Sequence, residues 1–417
     1  MRILLLDGNE NQAVACTRSL FRAGHTVEVG APTSWSKAGW SRACARSFVY
    51  PAPEVSLEAF VHGIAEETAR TPGALVLPMT ERTTLPLSLH RKLIFAAGGQ
   101  LVLPPHETVV SAFDKASTLQ LAQSLGIKVP KTILLDHPDR AREIQQDFSY
   151  PVVLKPRSSE RVSASGEVTA SGAPEYARNP REFLDACARM SRRCAEILLQ
   201  EYIEGTGTGY FALMNNGELQ AEFAHRRLRD VRPTGSGSCL RISVQPDPEV
   251  RSQALAILRA LKWHGVAMVE FRLRPDGRPV LMEINGRFWN SLALAVYAGV
   301  DFPALLARMV QEDSMATVPS YPEGIRCRWL LGDFRHLLEV WRGAPAGYVG
   351  RFPSRWRTLA AFVTPVPKTF HDNFQMKDPL PGLGDWIYFW MVRVPAALRN
   401  RPARKRGHSA ERRYSHS

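Results

Sequence analysis

The segment from Val266 to Arg287, VAMVEFRLRPDGRPVLMEINGR, constrains this chain more than any other. Asp276-Gly277 is a two-residue hairpin turn signal between alternating apolar residues. Centring the turn there pairs Pro275 with Arg278 and, further along the ladder, Glu270 with Glu283. The alternation gives the same register, with Ala267, Val269, Phe271 and Leu273 on one apolar face and Val280, Met282 and Ile284 on its match. The opposite face carries Glu270, Glu283, Asn285 and Arg287. Like charges directly opposite on a sheet repel by roughly 0.2–1 kcal/mol, so a compensating cation is expected. A divalent ion held by oxygen ligands, with Mg2+ at a phosphate site as the usual case, is one solution. Neutralisation by Arg272 and Arg274 on a solvated sheet face is the other.

At 417 residues the chain has room for two or three domains, and 45% apolar with 22% charged residues fits a globular protein. The opening MRILLLDG has too short an apolar run for a signal peptide and reads as a first β-strand. Six cysteines without CxxC spacing suggest reduced thiols in a cytoplasmic protein and no structural zinc. The net charge of +13 is uneven: from Trp386 to Ser417 there are eight Arg or Lys against Glu411 alone. That excess belongs to a tail, so the charge is not a nucleic-acid signature for the body.

The first ~110 residues alternate apolar runs (RILLLD, HTVEVG, ALVLPMT, QLVLPP) with helical patterns at Asn11 to Ala23 and Leu57 to Ala69. This predicts a parallel sheet with covering helices. Gly8-Asn-Glu-Asn is not a GxGxxG fingerprint, so NAD is not expected. A helix over 111–130, the strand PVVLKP, a Ser/Gly-rich loop from Arg157 to Gly172 and a helix from Asn179 to Arg193 follow. Two strand-like runs then join through a glycine-interrupted segment, and a second Gly/Ser loop spans Thr234 to Ser238. A helix near Glu249 to Leu261 precedes the hairpin, another spans Leu292 to Gln311, and a separate C-terminal element begins near Pro319.

Lysine is scarce, ten against 43 arginines, which gives weight to Lys115 and to Lys155 at the end of the apolar strand PVVLK. A buried ammonium there needs a counter-charge such as a phosphate. Lys115, Lys155, the Ser/Gly loop, Gln200-Glu-Tyr-Ile-Glu-Gly205, Glu270 and Glu283-Ile-Asn285-Gly-Arg287, in that order, resemble the ATP-grasp superfamily. The likeness is to its carbamoyl-phosphate-synthase-like and biotin-carboxylase-like members.

The resemblance implies an α/β and α+β fold. A parallel-sheet domain over 1–110 precedes a two-lobed ATP-grasp domain over 111–312, divided at 200/201. A small C-terminal element over 313–385 and an aromatic-then-basic tail over 386–417 complete the chain. It further implies ATP, with Mg2+ or Mn2+ on Glu270, Glu283 and Asn285, and phosphate contacts from Lys115, Lys155 and Ser158. The adenine would lie against Glu201, Tyr202 and Ile203. Many relatives place a ribose-binding acid after this hinge, whereas Thr206-Gly-Thr-Gly209 stands here, leaving Glu204 or Thr208 as substitutes. Arg226 and Arg227, in His225-Arg226-Arg227, resemble the basic strand of the active site, and Arg287 resembles the catalytic arginine.

The implied activity is an ATP-dependent carboxylate-amine ligase acting through an acyl phosphate, with small-molecule partners and the two Gly-rich loops as lids. The rivals are carboxyphosphate chemistry with bicarbonate and a non-catalytic nucleotide-binding adaptor. Asp7, Asn9 and Thr80-Glu81 at strand ends are candidate substrate contacts, with turn and capping roles as the alternative. In the tail, Trp386 to Pro395 is too short to span a bilayer. A helix packed on the body with a basic end is the leading reading, a peripheral membrane anchor the alternative. A homodimer is a further possibility.

Overall fold

The computed structural model describes residues 1–157, 160–162, 168–170, 174–312, 320–345, 348 and 350–394. The N-terminal residues build a four-stranded parallel sheet in the order Arg46–Val49, Thr26–Ala31, Arg2–Leu5, Leu75–Leu77. RILL and TVEVGA are apolar almost throughout because helices cover both faces of a parallel sheet. QLVLPP forms no strand: Gln100 makes only an isolated bridge to Leu75 before two prolines end any ladder.

The first lobe is a four-stranded antiparallel sheet ordered Thr132–Leu135, Ile197–Glu201, Val152–Pro156, Glu175–Ala177. The helix Pro180–Met190 packs on it, with Asn179 capping the N-terminus by accepting from the Glu182 amide. The expected loop over 157–172 contains a ribbon instead, Glu160–Val162 paired with Val168–Ala170. The expected helix over 111–130 is two, His106–Phe113 and Lys115–Ser124, because Asp114 leaves helical backbone to cap the second. The helix expected over Leu292 to Gln311 likewise divides into Leu292–Tyr297 and Phe302–Gln311, with Gly299 at φ +98 between them.

The second lobe is a seven-stranded sheet. Its order is Pro279–Asn285, Gly265–Leu273, Thr206–Asn215, Glu218–Arg232, Ser236–Val244, Arg326–Arg328, Thr369–His371. The last two strands come from beyond residue 312, so the C-terminal element extends this sheet. It also reaches the N-terminal sheet: Lys37 pairs with Asp385 at 2.9 Å and Arg18 with Asp378 at 2.8 Å, all four side chains largely buried.

Four apolar clusters hold the molecule. One joins the N-terminal strands to Phe211, Trp289 and Phe302 of the second lobe, and one covers the other face of the second lobe. A third lies wholly in the first lobe, between Leu135 and Leu199, and a fourth lies under the N-terminal sheet. All six cysteines are free. Among the described residues no helix is long and apolar enough to cross a membrane.

Candidate functional site

The hairpin pairs Glu270 with Glu283, as the alternation predicts, but by another route. Its loop has three residues, Pro275, Asp276 and Gly277: the Arg274 amide donates to the Arg278 carbonyl, and Gly277 takes φ +83. A bulge between Glu270 and Phe271 then restores the register. The bulge displaces Met282, which lines the cleft with Glu283 instead of joining the apolar face.

That cleft, about 1190 Å³, lies between the lobes. Lys155 comes from the first lobe, Lys115 from the start of the helix Lys115–Ser124, and Glu201, Tyr202 and Ile203 from the inter-lobe hinge. Arg227, Arg272, Glu270 and Glu283 come from the second-lobe sheet. Eight of the residues singled out in the sequence therefore meet here: Lys115, Lys155, Glu201, Tyr202, Ile203, Arg227, Glu270 and Glu283. Asn285 and Arg287, also expected in the site, do not line the cleft themselves but adjoin it through Glu283. The Asn285 amide donates to Glu283 Oε1 at 3.3 Å, and Arg287 Nη2 donates to Asn285 Oδ1 at 3.3 Å.

Three expected contacts differ. Thr208 is buried and its hydroxyl donates to the His225 carbonyl, so it cannot reach a ribose in the cleft. Glu204 is exposed and does not line the cleft; Thr206 does. Arg226 is exposed and does not line the cleft, whereas its neighbour Arg227 does, because successive side chains in a strand point to opposite faces. Ser158 lies outside the described residues. The second Gly/Ser loop is a tight turn between paired strands, with Gly235 and Gly237 lining the cleft.

Arg227 neutralises the carboxylate pair, in place of Arg272 or Arg274, by donating from Nη2 to Glu270 Oε2 at 2.6 Å. Arg274 instead meets Glu201 at 3.2 Å. Arg272 donates to the carbonyls of Ile203 and Gly205, each at 3.2 Å, fixing the hinge backbone. Gly205 has to be glycine, since a Cβ there would sit 2.1 Å from the Leu273 carbonyl. Sequence reasoning gave Arg272 no such role, because the carbonyls it holds are nearly seventy positions away along the chain. Tyr176 and Tyr348 were also missed. Tyr176 stacks edge-on against both Tyr202 and Tyr348, placing aromatic surface beside the hinge.

Charge in the cleft is divided unequally. Burial raises Glu270, and the Glu283 charge adds to this against the lowering effect of Arg227. Burial also opposes ionisation of Glu283, but Lys115, Lys155, the Asn285 amide and Arg227 together outweigh it and hold that carboxyl below its ordinary range. Lys155 is lowered by burial, with Glu283 opposing the shift and Lys115 reinforcing it. Two carboxylates, an amide oxygen and a ring of Lys115, Lys155, Arg227 and Arg272 suit a polyphosphate with a divalent cation. Among the described residues no group of three or more His, Cys, Asp or Glu could by itself hold a metal ion.

Asp7, Asn9 and Thr80 line a second cavity of about 320 Å³ beyond the parallel strands, walled by Trp329, Arg335 and Tyr388. Glu81 begins the helix Glu81–Leu89. Asp7 accepts hydrogen bonds from the Thr83 hydroxyl at 2.6 Å and the Met79 amide at 3.0 Å, which agrees with a turn-stabilising role.

Residues 193–332 match the family described as "ATP-grasp in the biosynthetic pathway with Ter operon". The chain is 27% identical over 217 residues to the D-alanine–D-alanine ligase of Nitrosospira multiformis, covering 48% of this chain and 66% of that one. It is 24% identical over 220 residues to the vancomycin/teicoplanin A-type resistance protein VanA of Enterococcus faecium, covering 47% and 60%. Against the carbamoyl phosphate synthase large chain of Clostridium acetobutylicum it is 25% identical over 225 residues, covering 52% and 20%. The chain thus spans less than two thirds of the length of each of these relatives.

The fold is similar to the biotin carboxylase domain of the 2-oxoglutarate carboxylase of Hydrogenobacter thermophilus, solved with MgADP and bicarbonate. The TM-score is 0.62 at 14% identity, over 78% of this chain and 73% of that one. It is also similar to an L-amino acid ligase from Bacillus licheniformis, with a TM-score of 0.55 at 16% identity, covering 74% and 73%.

Proposed function

We propose that this chain, which resembles the ATP-grasp superfamily in its family match over 193–332 and in its relatives, is an ATP- and Mg2+-dependent ligase joining a carboxylate to an amine. The observation that carries this reading is the facing pair Glu270 and Glu283, set in one cleft with Lys115, Lys155 and Arg227.

Lys115 and Lys155 would bind the phosphates, and an anion there compensates the ammonium that burial disfavours. The hinge at Glu201 to Ile203 and the ring of Tyr202 would hold the base. Arg272 donates to the Ile203 carbonyl, which keeps a second lone pair free to accept from the base. Glu270, Glu283 and Asn285 would hold Mg2+, which supplies charge neutralisation between phosphates. Glu270 keeps Arg227 on one oxygen, so an ion there would share the carboxylate with the guanidinium.

The γ-phosphoryl group passes from ATP to a carboxylate oxygen, releasing ADP and forming an acyl phosphate. An amine then attacks the acyl carbon, phosphate departs, and the amine loses a proton as the amide forms. Arg287, anchored on Asn285, would stabilise the charge developing at the acyl centre. Arg227 would serve the same anionic centre from the opposite strand. The free cysteines fit a reducing, cytoplasmic setting.

The test is release of ADP and phosphate by the full chain with Mg-ATP and pools of carboxylates and amines. Amine-dependent release supports the ligase. Release that needs bicarbonate and no other carboxylate would replace it with carboxyphosphate chemistry.

A further inference from the structure

The helix Leu380–Tyr388 and the π-helical turn Phe389–Arg393 that continues it have two unlike faces. The inner face holds Pro381, Gly382, Gly384 and Asp385. Gly384 and Gly382 let the backbone approach Trp40 and Phe374, where an added Cβ would lie 2.8 and 3.0 Å away. Asp385 pairs with Lys37 and accepts from Trp329 Nε1 at 2.6 Å. The outer face carries Leu380, Leu383, Ile387, Trp390 and Met391, exposed by 50, 49, 41, 51 and 70%. Their spacing of i, i+3, i+7, i+10 and i+11 makes one continuous apolar stripe. From Leu380 to Met391 the one charged residue is Asp385, buried on the other face. Residues 395–417 then follow with seven Arg or Lys against Glu411.

We propose that this stripe and the basic segment after it form a docking surface for an anionic lipid bilayer. An apolar stripe with exposed tryptophan and without charge suits the boundary between headgroups and acyl chains. The basic residues that follow suit anionic headgroups. Charge decides between a bilayer and a second copy of this chain. Two copies joined on this stripe would bring together two basic segments on chains of net charge +13, whereas an anionic surface complements them. The stripe from Leu380 to Met391 is shorter than the ~20 apolar residues a span needs, so the proposed contact is interfacial. The proposal is independent of the ligase reading.

Flotation of the full chain with phosphatidylcholine vesicles, with and without phosphatidylglycerol, tests this surface. Recovery with the anionic vesicles, falling as salt rises, is expected. The double variant Leu383→Glu/Ile387→Glu should lose this binding while melting cooperatively by circular dichroism, since both side chains are half exposed. A second variant, Arg404→Glu/Lys405→Glu/Arg406→Glu, leaves the stripe untouched and should weaken binding about ten-fold or more. Absence of flotation with anionic vesicles overturns the proposal. So does unchanged flotation of the stripe variant. Light scattering that shows a dimer split by Leu383→Glu/Ile387→Glu would assign the stripe to a second copy instead.

Discussion

Arg227 reaches Glu270 across an entire intervening strand, closing to 2.6 Å over Thr206–Asn215. The span is open because that strand presents Gly207 and Gly209 on the shared face. A Cβ at Gly207 would come within 3.2 Å of Arg227 Cδ, and one at Gly209 within 3.1 Å of His225 Nε2. Gly207→Val should therefore displace the guanidinium and cut ADP release about ten-fold or more, approaching the loss in Arg227→Met. Steady-state ADP release by the two variants and the wild type makes the comparison, and full activity of Gly207→Val would contradict it.

Glu283→Gln should abolish ADP release and also change the pH dependence of stability. The folded-state pKa of Glu283 lies below its ordinary 4.5, because Lys115, Lys155, Asn285 and Arg227 together outweigh burial. A depressed carboxylate contributes stability that is present above the unfolded pKa and lost as pH falls through the folded one. The melting midpoint of Glu283→Gln should fall below that of the wild type at pH 7, and the gap should close as pH drops below 4.5. Thermal melts across that range decide it.

Lys155→Met should weaken nucleotide binding by roughly ten- to a hundred-fold, the range for a lost hydrogen bond to a charged group. Calorimetric titration with ADP and Mg2+, without carboxylate or amine, reads binding apart from chemistry. Affinity equal to the wild type would remove Lys155 from the phosphate site.

Asp372→Asn should destabilise the fold by about 3–5 kcal/mol, the usual loss when one member of a buried ion pair is removed. Asp372 sits 2.8 Å from Arg241, and both are essentially inaccessible. Urea unfolding measures it, and a loss under ~1 kcal/mol would show that the pair is replaceable.

The carboxylate pairing was legible in the sequence because alternation alone sets the parity of a strand, although two features lay outside its reach. The loop holds one residue more than Asp-Gly suggests, and the bulge that moves Met282 compensates for it. Proximity to a motif proved a weaker guide than parity. Arg226, Glu204 and Thr208 lie within a few positions of cleft residues yet do not line it, while Arg227 and Thr206 do. Phe352, Arg357 and His336 line the cleft from the C-terminal element, whose packing no local pattern announces. The separation of that element was misleading for the same reason: a three-residue strand such as Arg326–Arg328 has too few positions to show a period.

The third apolar cluster, confined to the first lobe, has a mechanical consequence. The N-terminal sheet and the second lobe share one cluster and are clamped again by Lys37–Asp385 and Arg18–Asp378. The first lobe meets them through lighter ties: Arg157 to Asp114, the Tyr176 hydroxyl to the Thr234 carbonyl, and edge contacts between rings. Swinging its four-stranded sheet together with the helix Pro180–Met190 would leave every apolar cluster intact, because the preceding helix Lys115–Ser124 packs with the second lobe. The molecule is thus built as one large body that carries both carboxylates and a smaller, separately packed lobe that carries Lys155.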